Sequence, residues 1–153
     1  MRLWRLTRAP FVSLDGAGPE RHGARYSPSG MPMVNFASEA GLAVLVALRY
    51  LPRDLVGVEQ DYVLGWTEIN AACERVPSAL DEAAIRAWVG EWARCRRSLL
   101  AAVASKVLPE ADIVMMNPRH PQAEGVPPLV TRRFSFAECL HVPPMLSAYE
   151  RKR

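Results

Sequence analysis

Pro32-Met33-Val34-Asn35-Phe36-Ala37-Ser38-Glu39-Ala40-Gly41-Leu42-Ala43-Val44-Leu45-Val46-Ala47-Leu48-Arg49-Tyr50-Leu51 decides the fold class. Met33 to Ala37 reads as a buried strand. Ser38 follows as an N-cap and Glu39 as a negative charge in the first helical turn. A helix over about 39–51 is apolar almost all round until Arg49, so it should run through the core, and Pro52 ends it. A strand handing directly to a helix recurs along the chain without steady βαβ alternation, which gives an α+β class of mixed β-sheets with flanking helices.

Working outward, Arg2 to Leu6 alternates basic and apolar residues and reads as a strand. Residues 12–32, rich in Gly, Pro and Ser, read as loop with a short extended stretch at Ala24-Arg25-Tyr26. Leu55 to Leu64 reads as a strand and Thr67 as the cap of a short helix to about Arg75. Ser78-Ala79-Leu80-Asp81 opens a helix over about 79–97, with Trp88, Trp92, Cys95 and Leu99 on one stripe. Leu99–Val107, Asp112–Met116 and Leu129–Phe136 complete the strands.

The 153 residues suffice for one well-cored domain, taken as 1–153 with residues 141–153 as a tail. Half the residues are hydrophobic and 23% charged, which argues against disorder. The longest apolar run, Ala40 to Leu48, falls well short of the roughly 20 residues of a spanning helix, and no secretory signal is read at the start. Cys73, Cys95 and Cys139 are scattered and odd in number, which fits a reducing cytoplasm better than a disulfide or zinc framework. The net charge of +3 is spread among acidic residues, so nucleic-acid binding is the weakest of the function classes and a small anionic ligand or acidic partner suits the surface as well. No dinucleotide, P-loop, zincin or nucleophile-elbow motif is present, and His22, His120 and His141 have no metal-ligand spacing.

Seven short segments, in order, resemble the RES domain, a bacterial family named for its Arg, Glu and Ser positions. They are Leu3-Trp4-Arg5-Leu6, Asp15-Gly16-Ala17-Gly18, Gly23-Ala24-Arg25-Tyr26, Pro32-Met33-Val34 through Ala37-Ser38, Val103-Ala104-Ser105, Asn117-Pro118-Arg119-His120-Pro121 and Phe134-Ser135-Phe136, together covering about 2–140. The resemblance implies a fold like the diphtheria-toxin type of ADP-ribosyltransferase. It implies a toxin, paired with an Xre-type antitoxin carrying a DUF2384 domain, that cleaves NAD+ at the nicotinamide–ribose bond. The implied acceptor is a protein side chain (phosphoribosyl-pyrophosphate synthetase among them), phosphate or water. Neither a metal, a membrane nor a nucleic acid is implied.

Position by position, the family arginine falls on Arg25, implied to clamp phosphate or ribose, with a surface ion pair as the plain alternative. Tyr26 stands where tryptophan is usual and either lines the pocket or packs in the core. The family serine falls on Ser105, as a pocket hydrogen-bonder or a serine tied to backbone. Two positions depart: Asn35 occupies the tyrosine position and Val46, eleven residues on, the glutamate position. Glu39 and Glu59 are substitutes for that carboxylate, or simply solvated. The helix start at Ser38 either cradles a pyrophosphate with Arg25 or is only capped there. His120 either stabilises a turn or touches ligand. The second reading of such a chain is a RES domain that keeps the fold and a binding surface without the chemistry.

Overall fold

A computed structural model describes residues 1–51 and 61–139. Pro52, the first half of the Leu55–Leu64 strand, Glu59, His141 and the 141–153 tail lie outside the described residues. Among the described residues, seven strands form one sheet in the order β4-β5-β6-β2-β1-β3-β7. They are β1 Arg2–Arg8, β2 Val34–Ala37, β3 Tyr62–Glu68, β4 Cys73–Arg75, β5 Leu100–Ala104, β6 Asp112–Met116 and β7 Val130–Arg133. Helices are α1 Ala17–His22, α2 Ala40–Tyr50, α3 Glu82–Cys95 and the short α4 Phe136–Cys139. All pairings are antiparallel except β4 with β5. The α+β class expected from the sequence is the architecture observed.

The two halves of the sheet meet weakly. β1 pairs with β3 along its whole length, Arg2 against Glu68 through Arg8 against Tyr62. With β2 it shares only the pair Trp4–Ala37. On its other side β2 runs fully against β6, Val34–Met116 through Ala37–Ile113. Beyond Trp4, therefore, β1 parts from β2.

Residues alternate across the strands, so each face of the sheet carries its own core. Ala37, Leu64, Phe134 and Phe136 pack with Leu42 and Ala43 of α2. Tyr26, Met33, Ala101, Val103 and Met115 pack with Ile85, Val89 and Trp92 of α3. Leu3, Val34, Phe36, Leu100, Val114 and Met116 fill the third cluster. Trp92, wholly buried, donates its indole N–H to Ser98 Oγ at 2.9 Å, and that hydroxyl bonds Glu74 Oε1 at 2.8 Å.

Several expectations need correction. Ser38 does not cap α2: its N–H donates to the Asp112 carbonyl and its Oγ accepts the Asp112 N–H, both at 2.9 Å, stitching the end of β2 to β6. Glu39 is the N-cap, without a side-chain bond. Nor does α2 run through the core; only Leu42 and Ala43 are fully buried, and Leu45 and Tyr50 face solvent. It is a flanking helix with an apolar outer surface. Residues 17–22, expected as loop, form α1, entered through Gly16 at φ +74°, where a Cβ would meet Met33 N at 2.5 Å. Thr67 sits inside β3 with its hydroxyl on the Pro127 carbonyl, and Cys73–Arg75 is strand rather than helix. α3 starts at Glu82 because Asp81, not Ser78, accepts the Ala84 N–H at 2.8 Å. Cys95 is exposed, and Leu99 is buried beyond the helix end. The last strand is shorter than expected, and all four of its residues are exposed at the sheet edge.

Asn117 is buried, with Nδ2 donating to the Ala93 carbonyl at 2.9 Å and Oδ1 accepting the Arg119 N–H at 3.0 Å. Asn117→Ala strands both partners and is expected to cost about 2 kcal/mol in urea unfolding. Arg75→Ala, removing an exposed pair with Asp112, is expected to cost about 0.5 kcal/mol or less. Equal costs would mean that Asn117 does not anchor the end of α3.

Candidate active site

Where β1 leaves β2, a cleft of about 460 Å³ opens under α2, within the range of small-molecule sites. Its lining comes from distant parts of the chain: Arg5 and Arg8 of β1, Arg25 and Tyr26 of the loop after α1, Asn35 of β2, Val46 of α2, and Ser105 with Lys106 after β5. Four of the residues singled out in the sequence thus share one concavity: Arg25, Tyr26, Asn35 and Ser105. Val46, at the departing glutamate position, lines it too.

Three others do not reach it. Ser38 is absent from the lining, since its hydroxyl is taken by Asp112 N–H, so the cradle expected at this helix start does not form around it. Glu39 is exposed outside the cleft. His120 serves a turn, its Nδ1 accepting the Gln122 N–H at 3.2 Å.

Each residue that reaches the cleft is also held by the fold. Tyr26 is buried in the α3 core while its surface faces the cavity, so packing and lining are one placement. Ser105 is buried, its N–H on the Ala111 carbonyl and its Oγ accepting the Val107 and Leu108 N–H groups at 3.3 Å. That hydroxyl keeps its own proton to donate. Arg25 is anchored to α3 twice. Its Nε donates to Glu82 Oε2 at 3.3 Å, and its carbonyl accepts from the Arg86 guanidinium at 2.6 Å. Its guanidinium carbon lies 5.8 Å from the Tyr26 ring centroid.

The electrostatics are one-sided. Arg5, Arg8, Arg25, Arg49 and Lys106 line the cleft, and among the described lining residues there is no Asp or Glu. Burial pushes the Arg5 guanidinium below its ordinary range, with Asp15 opposing that shift. Arg8 pairs with Asp61 through a terminal nitrogen at 2.9 Å, leaving its Nε buried with no partner among the described residues. Glu82 lies at the edge, its carboxyl held below the usual range by hydrogen bonds from Lys106 first and Arg25 second. A concavity with this charge attracts anions, and guanidinium forks match phosphate oxygens.

Sequence reasoning missed Arg5, Arg8, Lys106 and Glu82 as cleft-associated groups. Lys106 adjoins Ser105, a signal that was available. Arg8 and Glu82 carry no local signature, because only the splay of β1 and the start of α3 bring them here.

Comparison with known proteins identifies the family of the chain and the likeness of its fold. The chain is 32% identical over 135 residues to the Prs ADP-ribosylating toxin of Sphingobium sp. (strain YBL2), covering 80% of this chain and 83% of that protein. Its fold superposes on a chain of the crystal structure of the M. tuberculosis MbcT–MbcA toxin–antitoxin complex with a TM-score of 0.63. That match covers 99% of this chain and 89% of the other at 15% identity. The RES domain matches residues 2–137, nearly the whole chain, and the protein belongs to the RES domain family.

Proposed function

We propose that this chain is the toxin of a bacterial toxin–antitoxin pair and acts in the cytoplasm by cleaving NAD+ at the nicotinamide–ribose bond. One observation carries the reading: Arg25, Tyr26, Asn35 and Ser105, from three separate segments, line a single cation-rich cleft. In the reaction the C1′–N bond breaks and its electron pair returns to the nicotinamide ring, which leaves neutral. An acceptor then bonds to C1′ and gives up a proton. Arg25 holds the pyrophosphate, with Arg8 adding positive charge to the same cleft. Tyr26 packs against an apolar part of the ligand and excludes water, and Ser105 Oγ donates a hydrogen bond. Asn35 presents an amide dipole in place of the family tyrosine.

The acceptor we favour is a protein side chain. The Sphingobium relative supports this, being named for ADP-ribosylation of Prs. Phosphate or water as acceptor is the alternative within the same chemistry. The antitoxin is proposed to be of the Xre/DUF2384 type, and the likeness to a chain of a toxin–antitoxin complex supports a protein partner.

A second reading has its own support, a RES domain that binds nucleotide and partner without turnover. Val46 puts an apolar side chain where the family places its glutamate, and the described lining offers no other carboxylate. Negative charge at C1′ stabilises the ribosyl cation, and a group of this kind is worth about 3 kcal/mol.

Nicotinamide release from NAD+ by the purified chain, with and without cell lysate, decides between the two. The toxin reading expects release, abolished by Arg25→Ala along with growth arrest on expression. No release under either condition, with NAD+ still bound in calorimetry, establishes the binding module instead. Val46→Glu is expected to raise the release rate by about 10²-fold if the carboxylate alone is limiting. An unchanged rate in a folded variant would locate the missing charge elsewhere.

A further inference from the structure

Glu82 stands outside the cleft lining yet touches two of its cations. Its Oε2 accepts from Arg25 Nε at 3.3 Å and from Lys106 Nζ at 3.2 Å, so one oxygen bridges a loop after α1 and a turn after β5. The residue is the first of α3, one position past the Asp81 N-cap, where the positive helix end favours a carboxylate. Four residues on, one turn further along the same face, Arg86 grips the Arg25 carbonyl. The start of α3 therefore fixes both the backbone and the side chain of Arg25.

Which donors are used matters. A guanidinium has five N–H groups, and the Glu82 contact takes the single one on Nε. Among the described residues the four on the terminal nitrogens have no partner, an arrangement that permits bidentate recognition of an oxyanion. An ammonium has three protons, of which the bridge uses one. A carboxylate placed this way holds two mutually repelling cations side by side without neutralising the faces they turn to the cavity.

We infer that Glu82 is a positioning residue that locks Arg25 and Lys106 into a two-cation clamp for a diphosphate group, with Lys106 as a second phosphate-binding residue. The inference rests on the proposed NAD+ reading for the identity of the ligand, and on the ion-pair geometry for the clamp itself. Without Glu82, Lys106 swings out on its flexible stem and Arg25 loses its fixed plane, so affinity for the diphosphate falls while the fold remains.

Calorimetric titration of the full chain with ADP-ribose and with inorganic pyrophosphate tests this. Glu82→Gln is expected to weaken ADP-ribose binding about tenfold, and Lys106→Ala by a similar factor. Their combination is expected to weaken it by much less than the product of the two, because both remove the same clamp. Glu82→Asp is expected to recover part of the loss. A purely structural role for Glu82 would instead lower the melting temperature and leave the two losses multiplicative. Full affinity in a folded Glu82→Gln protein, or multiplicative losses, overturns the clamp. Lys106→Ala, on an exposed side chain, reads the clamp even if the Glu82 variants unfold, and undiminished binding there overturns it. If the wild type binds pyrophosphate but not ADP-ribose, and Glu82→Gln weakens the pyrophosphate binding, the clamp stands and the NAD+ reading falls. If it binds neither, the clamp is wrong.

Discussion

One residue pair, Trp4 against Ala37, joins the two halves of the sheet, and the cleft exists because there is only one. Had β1 and β2 zipped along their length, backbone bonds would have closed the space that Arg5, Arg8 and Asn35 now line. The splay is held from both sides. β1 is committed over seven residues to β3, and β2 is committed to β6 and pinned by the Ser38–Asp112 exchange. Trp4 also stacks at a tilt on Trp66, 5.5 Å between centroids, adding aromatic packing beside the joint. The opening is thus a consequence of where hydrogen bonds are spent, and the helices only roof it.

This explains what the sequence revealed and what it hid. Strands with a clear local pattern, Arg2–Arg8, Val34–Ala37 and Asp112–Met116, were legible because two-residue alternation or a short apolar run bounded by polar residues marks them. Ser38 misled because a serine before an apolar helix satisfies the capping pattern, while here a partner 74 residues away competed for its hydroxyl. Thr67 misled in the same way, its hydroxyl going to Pro127. Helix α1 was hidden by Gly and Pro, read as loop chemistry, although Pro19 falls in the first turn where its missing N–H costs nothing. At the site, Arg25, Tyr26, Asn35 and Ser105 were found through the ordered resemblance, whereas Glu82 had no signal beyond its place near a helix start. Long-range pairs of that kind are set by tertiary geometry, which one sequence does not print.

The cleft lining combines charged and uncharged residues. The walls carry Arg5, Arg8, Arg25, Arg49 and Lys106, while Asn35, Val46 and Ala47 add lining without charge. A dinucleotide has both needs, anionic at its middle and increasingly cationic at the ribose as nicotinamide departs. Cations that hold the pyrophosphate also raise the energy of a nearby ribosyl cation, since like charges a few ångströms apart repel by about 4 kcal/mol at an effective dielectric of 20. A glutamate between them would normally offset this. With valine at that position, the proposed reaction would have to rely on the Asn35 amide dipole instead. If NAD+ is the substrate, as proposed, binding and turnover place opposing electrostatic demands on this cleft, and the cations of the described walls favour binding. On the proposed NAD+ reading, such a lining suits holding a dinucleotide better than breaking it, and the apolar side chain of Val46 limits the rate once Arg25 has engaged the pyrophosphate.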